Sequence, residues 1–152
     1  MSSNGDKIFF PVKGVNFYEL FDWSNAEERC KLTATDARKL RRQSSQSGVR
    51  VEVNETKIAL FRYGDQLHAV NEKCPHAGGP LHIGDIEELP DFSVCVRCPW
   101  HGWKFDLKTG RCKHPSGEQR CTIVYAVRVD TQGNIEIGFE SFSGKYFNSE
   151  DF

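Results

Sequence analysis

The chain has 152 residues, a length that suits one domain with a sizeable core and needs no second copy for stability, so we expect a monomer. Its 20 basic and 21 acidic residues give a net charge of -1, which excludes the broad positive field of a nucleic-acid-binding surface. No apolar run approaches the ~20 residues of a membrane span, and residues 1–6 lack the layout of a signal peptide. We therefore expect a cytoplasmic protein that does not bind membranes.

The two ends of the chain are interpreted as extensions of one domain that spans residues 1–152. Residues 1–30 are expected to pack on the base of the fold. One short helix is predicted at residues 36–41, where Thr35 or Asp36 is a suitable cap, and a polar loop follows at residues 43–48. The tail, residues 140–152, is expected to pack back on the same base.

Between these ends, apolar residues alternate with polar ones in short runs, which is the pattern of half-buried strands. Val49, Val51 and Val53 begin the series, strands follow at residues 58–61 and 67–70, and Phe92, Val94 and Val96 alternate up to Cys98. Residues 86–92 are interpreted as a surface extension. A turn at residues 106–110 and a hairpin of residues 121–129 and 134–139 complete an all-β fold, predicted to be an antiparallel β-sandwich with at most one or two short helices.

Two loops in this region each carry one cysteine and one histidine. The first reads Cys74-Pro75-His76-Ala77-Gly78-Gly79-Pro80 and the second Cys98-Pro99-Trp100-His101-Gly102-Trp103. Two thiolates and two imidazoles can bind one tetrahedral zinc ion, or a [2Fe-2S] cluster with both cysteines on one iron and both histidines on the other. The flanking residues favour the cluster, because the glycines allow close backbone approach and the prolines fix the turns.

These motifs resemble the Rieske iron-sulfur family. The matching segments are C-P-H-A-G-G-P-L from Cys74, C-P-W-H-G-W from Cys98, F-D-L-K-T-G from Phe105 and residues 114–117, within a similarity that extends over about residues 49–137. The resemblance implies one [2Fe-2S] cluster per chain in a small cluster-binding subdomain at about residues 72–117. It implies the ligands Cys74, His76, Cys98 and His101. It also implies surrounding contacts from Gly78, Gly79, Pro80, Trp100, Gly102, Trp103 and, in a loop that covers the cluster from a third side, Pro115.

Three positions indicate the branch of the family. Rieske proteins of respiratory and photosynthetic complexes carry cysteines at the positions of Gly79 and Trp100, which form a disulfide, and a serine at that of Trp103. Without these groups the midpoint potential is expected toward the roughly -150 mV end of the Rieske range. The chain therefore resembles the ferredoxin and oxygenase branch.

The resemblance implies a soluble Rieske-type ferredoxin, an electron carrier without a catalytic site of its own. Its expected partners are a flavin-containing reductase and an acceptor such as an oxygenase. Two alternatives stay open: a structural zinc module, and a component of a Rieske oxygenase, which would need a mononuclear iron site with two histidines and a carboxylate. Only His68, His82 and His114 are left for such a site, and we expect them to be structural or exposed.

The other cysteines, Cys30, Cys95, Cys112 and Cys121, are expected to be free thiols in a reducing compartment. Cys121 is predicted to be buried, because it begins a run whose alternate residues are apolar. Cys95 forms a C-x-x-C with Cys98, and Cys112 forms a C-x-H with His114. We expect neither to bind the metal, since neither has the glycines and prolines of the two loops.

Overall fold

The computed structural model describes residues 7–25 and 48–140 of the chain. Strands form most of the regular structure in these two segments, and the helical elements described there are two short 3₁₀ turns, Phe17–Glu19 and Leu81–Ile83. None of the described helices is long and apolar enough to span a membrane. The predicted all-β fold is confirmed, whereas the predicted helix at residues 36–41, the tail beyond residue 140 and Cys30 lie outside the described residues.

Ten strands are described, in chain order β1 Ile8–Asn16, β2 Val49–Val53, β3 Thr56–Tyr63, β4 Gln66–Asn71, β5 Asp85–Glu88, β6 Val94–Arg97, β7 Lys104–Asp106, β8 Cys112–His114, β9 Val124–Val129 and β10 Asn134–Phe139. They form a six-stranded sheet in the order β1-β10-β9-β4-β3-β2 and a four-stranded sheet in the order β5-β6-β7-β8. Pairing between these neighbouring strands is antiparallel. One metal loop follows β4 of the six-stranded sheet and the other follows β6 of the four-stranded sheet. The loops therefore lie where the two sheets approach each other.

Strand β3 is buried on both faces, since successive side chains of a strand point in opposite directions. Ile58 and Leu60 pack into a first core, the base core, formed within the six-stranded sheet. Ala59 and Phe61 pack into a second core, the bridging core, which joins that sheet to the four-stranded sheet. The other buried members of the bridging core are Trp23, Val70, Cys74, Leu81, Ile86, Val96, Cys98, Phe105 and Leu107. Both loop cysteines are thus part of the hydrophobic contact between the sheets.

The described part of the N-terminal extension begins with a strand of the sheet. Strand β1 pairs with β10, with Ile8 opposite Phe139 and Val12 opposite Ile135. Pro11 is tolerated because β1 is the outer strand of its sheet and one side of it needs no ladder hydrogen bond. Lys7 adds an ion pair to Glu140 at 2.6 Å, just beyond the ladder.

The prediction that Cys121 is buried is wrong. Cys121 is exposed and its neighbour Ile123 is 56% exposed, whereas Thr122 between them is buried. The Thr122 N–H donates to the Gly110 carbonyl (2.8 Å), and strand β9 begins only at Val124. The contact with Gly110 turns Thr122 inward before the strand starts, so the side chains on either side of it face solvent.

Residues 86–92 are only partly a surface extension. Ile86 is buried in β5 opposite Val96, so the first half of the segment belongs to the four-stranded sheet. The exposed part is the turn that follows, where the Phe92 N–H donates to the Leu89 carbonyl (2.8 Å). Phe92 has a φ of 69° and is 82% exposed, so it does not continue the alternation of Val94 and Val96.

Candidate metal centre

The two metal loops form the same type of turn, in which backbone hydrogen bonds are made at the cysteine. In the first loop, residues 74–80, the Cys74 N–H donates to the Gly79 carbonyl (2.9 Å) and the Gly78 N–H donates to the Cys74 carbonyl (2.8 Å). In the second loop, residues 98–103, the corresponding bonds run from Cys98 to the Trp103 carbonyl (2.7 Å) and from Gly102 to the Cys98 carbonyl (3.0 Å). Each cysteine is therefore held by the backbone at both its N–H and its carbonyl.

A glycine stands at the same place in both turns, four residues after the cysteine. Gly78 and Gly102 each have a φ of 78°, in the left-handed region where a β-carbon is strained. Close backbone approach, as expected from the sequence, is one reason for a glycine at both positions. Their positive φ supplies a second reason for glycine, because the turn itself requires that conformation.

The loops contact each other at Gly79. A β-carbon on Gly79 would lie 2.7 Å from the Cys98 sulfur and 3.2 Å from the Trp100 ring, so the first loop can approach the second only without a side chain there. Trp100 itself is 57% exposed. Pro80, at the end of the first loop, pairs with Lys73 across the base of the turn.

The two loop cysteines are buried side by side. Cys74 is 3% exposed and Cys98 is 1% exposed. Burial raises the pKa of the Cys74 thiol and the neighbouring Cys98 raises it further, while backbone N–H groups of His76 and Ala77 donate to the Cys74 sulfur and act in the opposite direction. Backbone N–H groups directed at sulfur are what a thiolate ligand requires, because they stabilise its negative charge.

The two loop histidines form a second pair. Their ring centroids lie 4.9 Å apart at 72°, with His76 half-buried and His101 exposed. The Trp103 ring lies parallel to the His76 ring, with centroids 4.0 Å apart and planes 5° apart. The Nδ1 atom of His76 is buried and has no hydrogen-bond partner in the structure. A buried, unpaired ring nitrogen is destabilising unless it binds something, so this atom is available to a metal.

This arrangement fits the cluster expected from the sequence. Within residues 7–25 and 48–140, no three His, Cys, Asp or Glu side chains are grouped as a site for one metal ion requires. A [2Fe-2S] cluster with two ligands on each iron instead needs a pair of sulfur donors and a pair of nitrogen donors. The paired cysteines, the paired histidines and the unpaired Nδ1 atom meet that requirement, and Gly79 lets the first loop lie against Cys98 and Trp100 of the second.

Pro115 lies beside Cys112 in the segment that follows β8. Its carbonyl lies 3.9 Å from the Cys112 sulfur, and the Glu118 N–H donates to it at 3.4 Å. The same segment contacts the second metal loop at Arg120, whose guanidinium carbon lies 5.2 Å from the centroid of the Trp103 ring. Arg120 belongs to none of the sequence motifs, so only the fold shows its contact with Trp103.

A second feature that the sequence analysis missed is a clamp at the base of the first loop. Glu72 is 4% exposed, and its carboxylate accepts from the His82 backbone N–H (3.0 Å) and lies 2.6 Å from His82 Nδ1. The Glu72 carbonyl also accepts from the Leu81 N–H (2.9 Å). His82 was expected to be structural, and it is bound in this pair. Glu72 and His82 lie on either side of a loop and not on one helix or strand, so no periodic pattern indicated this pair.

The remaining candidate residues lie outside the two metal loops. Cys95 is fully buried, with Ser93 Oγ 3.9 Å from its sulfur, and burial raises its pKa. The Cys112 thiol donates to the His114 carbonyl (3.2 Å), and His114 is exposed. His68 is buried, and desolvation lowers its pKa, with Lys108 adding to the shift.

The central part of the chain is similar to a known domain family. The family model for the Rieske [2Fe-2S] domain matches residues 32–129. The human Rieske domain-containing protein is 43% identical over 58 residues, which cover 38% of this chain and 36% of that protein. The ferredoxin subunit of anthranilate 1,2-dioxygenase from Burkholderia cepacia is 36% identical over 84 residues, which cover 53% of this chain and 70% of the subunit.

A solved structure shows the same fold. The ferredoxin of carbazole 1,9a-dioxygenase from Nocardioides aromaticivorans IC177 superposes with a TM-score of 0.59 at 20% identity, over 84% of this chain and 95% of that one. The chain spans about a third of the length of the human relative, so the likeness there concerns the domain and not the whole protein. The chain belongs to the Rieske [2Fe-2S] domain family, and its cofactor is a Rieske-type [2Fe-2S] cluster.

Proposed function

We propose that this protein is a Rieske-type ferredoxin, which accepts single electrons from a flavin-containing reductase and passes them to an acceptor such as an oxygenase. The observation that carries the proposal is the asymmetry of the site. The cysteine pair is buried, whereas the histidine pair reaches the surface through His101. An electron held near exposed imidazoles is accessible to a protein partner. The ferredoxin subunit among the relatives supports the same role.

The proposed ligands are Cys74 and Cys98 on one iron and His76 and His101 on the other. The bound cluster supplies one-electron chemistry, and two neutral imidazoles in place of thiolates raise its potential above that of an all-cysteine cluster. The chain orients and shields this site. Trp103 covers the His76 ring, and the backbone of both turns fixes the cysteines. Gly79 and Trp100 stand where a disulfide would raise the potential, so we propose a value in the lower part of the Rieske range.

We further propose one domain over residues 1–152, with a cluster-binding subdomain at about residues 72–117, acting as a cytoplasmic monomer. The four strands β5 to β8 and both metal loops fall between residues 72 and 117, which supports that boundary. The protein itself is proposed to have no catalytic site, its role being to carry the electron between two enzymes.

The test uses the purified holoprotein, dithionite as reductant and oxidised cytochrome c as acceptor. The visible absorption of the cluster is expected to bleach after one electron per chain, and the reduced protein should then reduce one cytochrome c per chain. The matched control is Cys112→Ser, which removes a thiol outside the proposed ligand set and should leave both stoichiometries unchanged. A colourless zinc-containing protein, or loss of the cluster in Cys112→Ser, would contradict the proposal.

A further inference from the structure

We propose that Arg120 is a positioning residue for the cluster: through the Trp103 ring it holds the His76 imidazole, and its charge favours the reduced state. The observation is a contact series of three side chains. The Arg120 guanidinium lies 5.2 Å from the centroid of the Trp103 ring, and that ring is stacked at 4.0 Å on the His76 imidazole. The inference rests on the proposed function, because it requires His76 to bind iron.

The chain holds Arg120 in place from two directions. Its backbone N–H donates to Glu118 Oε2 (2.9 Å), and its Nε lies 3.2 Å from the same oxygen. The next residue, Cys121, pairs with Arg111, which ties the segment to the end of the β7–β8 hairpin. The guanidinium therefore approaches Trp103 from a fixed backbone position.

The contact with Trp103 has two consequences. A cation near an indole face is attracted by the ring quadrupole, which restrains the ring. The restrained indole in turn limits rotation of the parallel His76 imidazole, so its buried Nδ1 keeps one direction. Arg120 thus acts on the ligand through Trp103 and touches neither the imidazole nor the iron in this account.

The charge of Arg120 has a separate effect on the potential. Guanidinium is always protonated in proteins, and one-electron reduction adds one negative charge to the site. The two contact distances place the guanidinium about 9 Å or less from the imidazole centroid, and at effective dielectric constants of about 20 to 80 that separation changes the reduced-to-oxidised ratio roughly two- to twentyfold. Glu118 compensates part of this charge, so the lower half of that range is expected.

The experiment measures the midpoint potential of the holoprotein by voltammetry. At the wild-type midpoint, the reduced-to-oxidised ratio of Arg120→Gln should fall from one to between about one half and one tenth. Arg120→Lys keeps the charge and should restore most of the ratio, and Glu118→Gln should raise it.

The matched control is Arg128→Gln. Arg128 also lies over an aromatic ring, 3.7 Å from the centroid of Phe9, and pairs with Glu136 (2.8 Å), but it belongs to β9 outside the loops. The reduced-to-oxidised ratio of Arg128→Gln at the wild-type midpoint should stay at one.

Pulsed EPR of the reduced protein adds a readout that a loss of general stability would not move. The nitrogen couplings of one imidazole are expected to change in Arg120→Gln and to stay unchanged in Arg128→Gln. If Arg120→Gln does not retain iron, Glu118→Gln tests the charge in the opposite direction with Arg120 in place.

Three results would overturn the role of Arg120: an unchanged ratio in Arg120→Gln, a fall in Arg128→Gln as large as in Arg120→Gln, or a fall in Arg120→Lys as large as in Arg120→Gln. These differ from failure of the proposed function. A wild-type protein without the Rieske EPR signal would contradict the carrier role itself, whereas a normal wild-type signal with unaffected Arg120 variants overturns this inference alone.

Discussion

At the scale of single residues, the distance between the two metal loops depends on one missing side chain. A β-carbon added to Gly79 would lie 2.7 Å from the Cys98 sulfur. That sulfur is buried in the bridging core and has little room to move. The sequence analysis connected Gly79 with the absence of a disulfide, and the structure adds that this glycine sets the approach of one loop to the other.

We expect Gly79→Ala to separate the loops, because overpacking of this kind typically costs about 1–3 kcal/mol of the free energy of unfolding. Iron per chain should fall below half the wild-type value, measured on the purified protein with the visible spectrum. Gly138→Ala is a suitable control, since its β-carbon would lie 2.9 Å from the Phe9 ring, in β10. That variant should lose stability and keep its cluster. A Gly79→Ala protein with full iron content and wild-type stability would show that the loops tolerate the extra carbon.

At the scale of elements, the first loop is closed by a side-chain pair at its base. Glu72, just after β4, and His82, in the 3₁₀ turn Leu81–Ile83, are joined by the carboxylate contacts at 3.0 Å and 2.6 Å. The second loop runs directly from β6 to β7, which are neighbours in one sheet, so the ladder closes it. The first loop leads from one sheet to the other, and its base has a single bridge pair, Lys73 with Pro80, to which the buried carboxylate of Glu72 adds further contacts.

Glu72→Ala should lower the free energy of unfolding by about 1–3 kcal/mol, because it removes a buried carboxylate and leaves the part-buried His82 N–H without that acceptor. Denaturant unfolding followed by cluster absorbance and by fluorescence measures the change. Glu87→Ala provides the comparison, since it breaks the more exposed pair with Lys104 (2.7 Å) and should cost at most about 1 kcal/mol. Equal effects of the two variants would mean that the clamp adds nothing beyond a surface ion pair.

The sequence predicted the strands best where burial follows a strict period of two. Val49, Val51 and Val53 alternate as expected in β2. The prediction failed at Cys121, where a single hydrogen bond from Thr122 reverses the direction of the side chains, and at Phe92, where a turn residue only imitates the alternation. The error at Cys121 comes from a contact with a separate segment at Gly110, and the error at Phe92 comes from a local turn with positive φ; a pattern of apolar residues contains neither.

At the scale of the whole molecule, the site lies on the contact between two sheets. Cys74 and Cys98 belong to the bridging core together with Phe61 of the six-stranded sheet and Phe105 of the four-stranded sheet. The cysteines of the metal site are therefore also residues of the core that joins the two sheets. The ligand types and their loops could be predicted from the sequence because motif residues carry them. The Arg120 and Glu72 contacts could not, because they depend on how the sheets meet.

The central claim is that His76 and His101 bind one iron of a Rieske cluster, and the EPR spectrum of the dithionite-reduced protein tests it most directly. The wild-type protein is expected to show a Rieske-type signal with couplings from two imidazole nitrogens. His76→Ala and His101→Ala should each lose that signal, and His114→Ala, which changes an exposed histidine outside the proposed ligand set, should keep it. An unchanged wild-type signal in either His76→Ala or His101→Ala would remove that residue from the site and contradict the account.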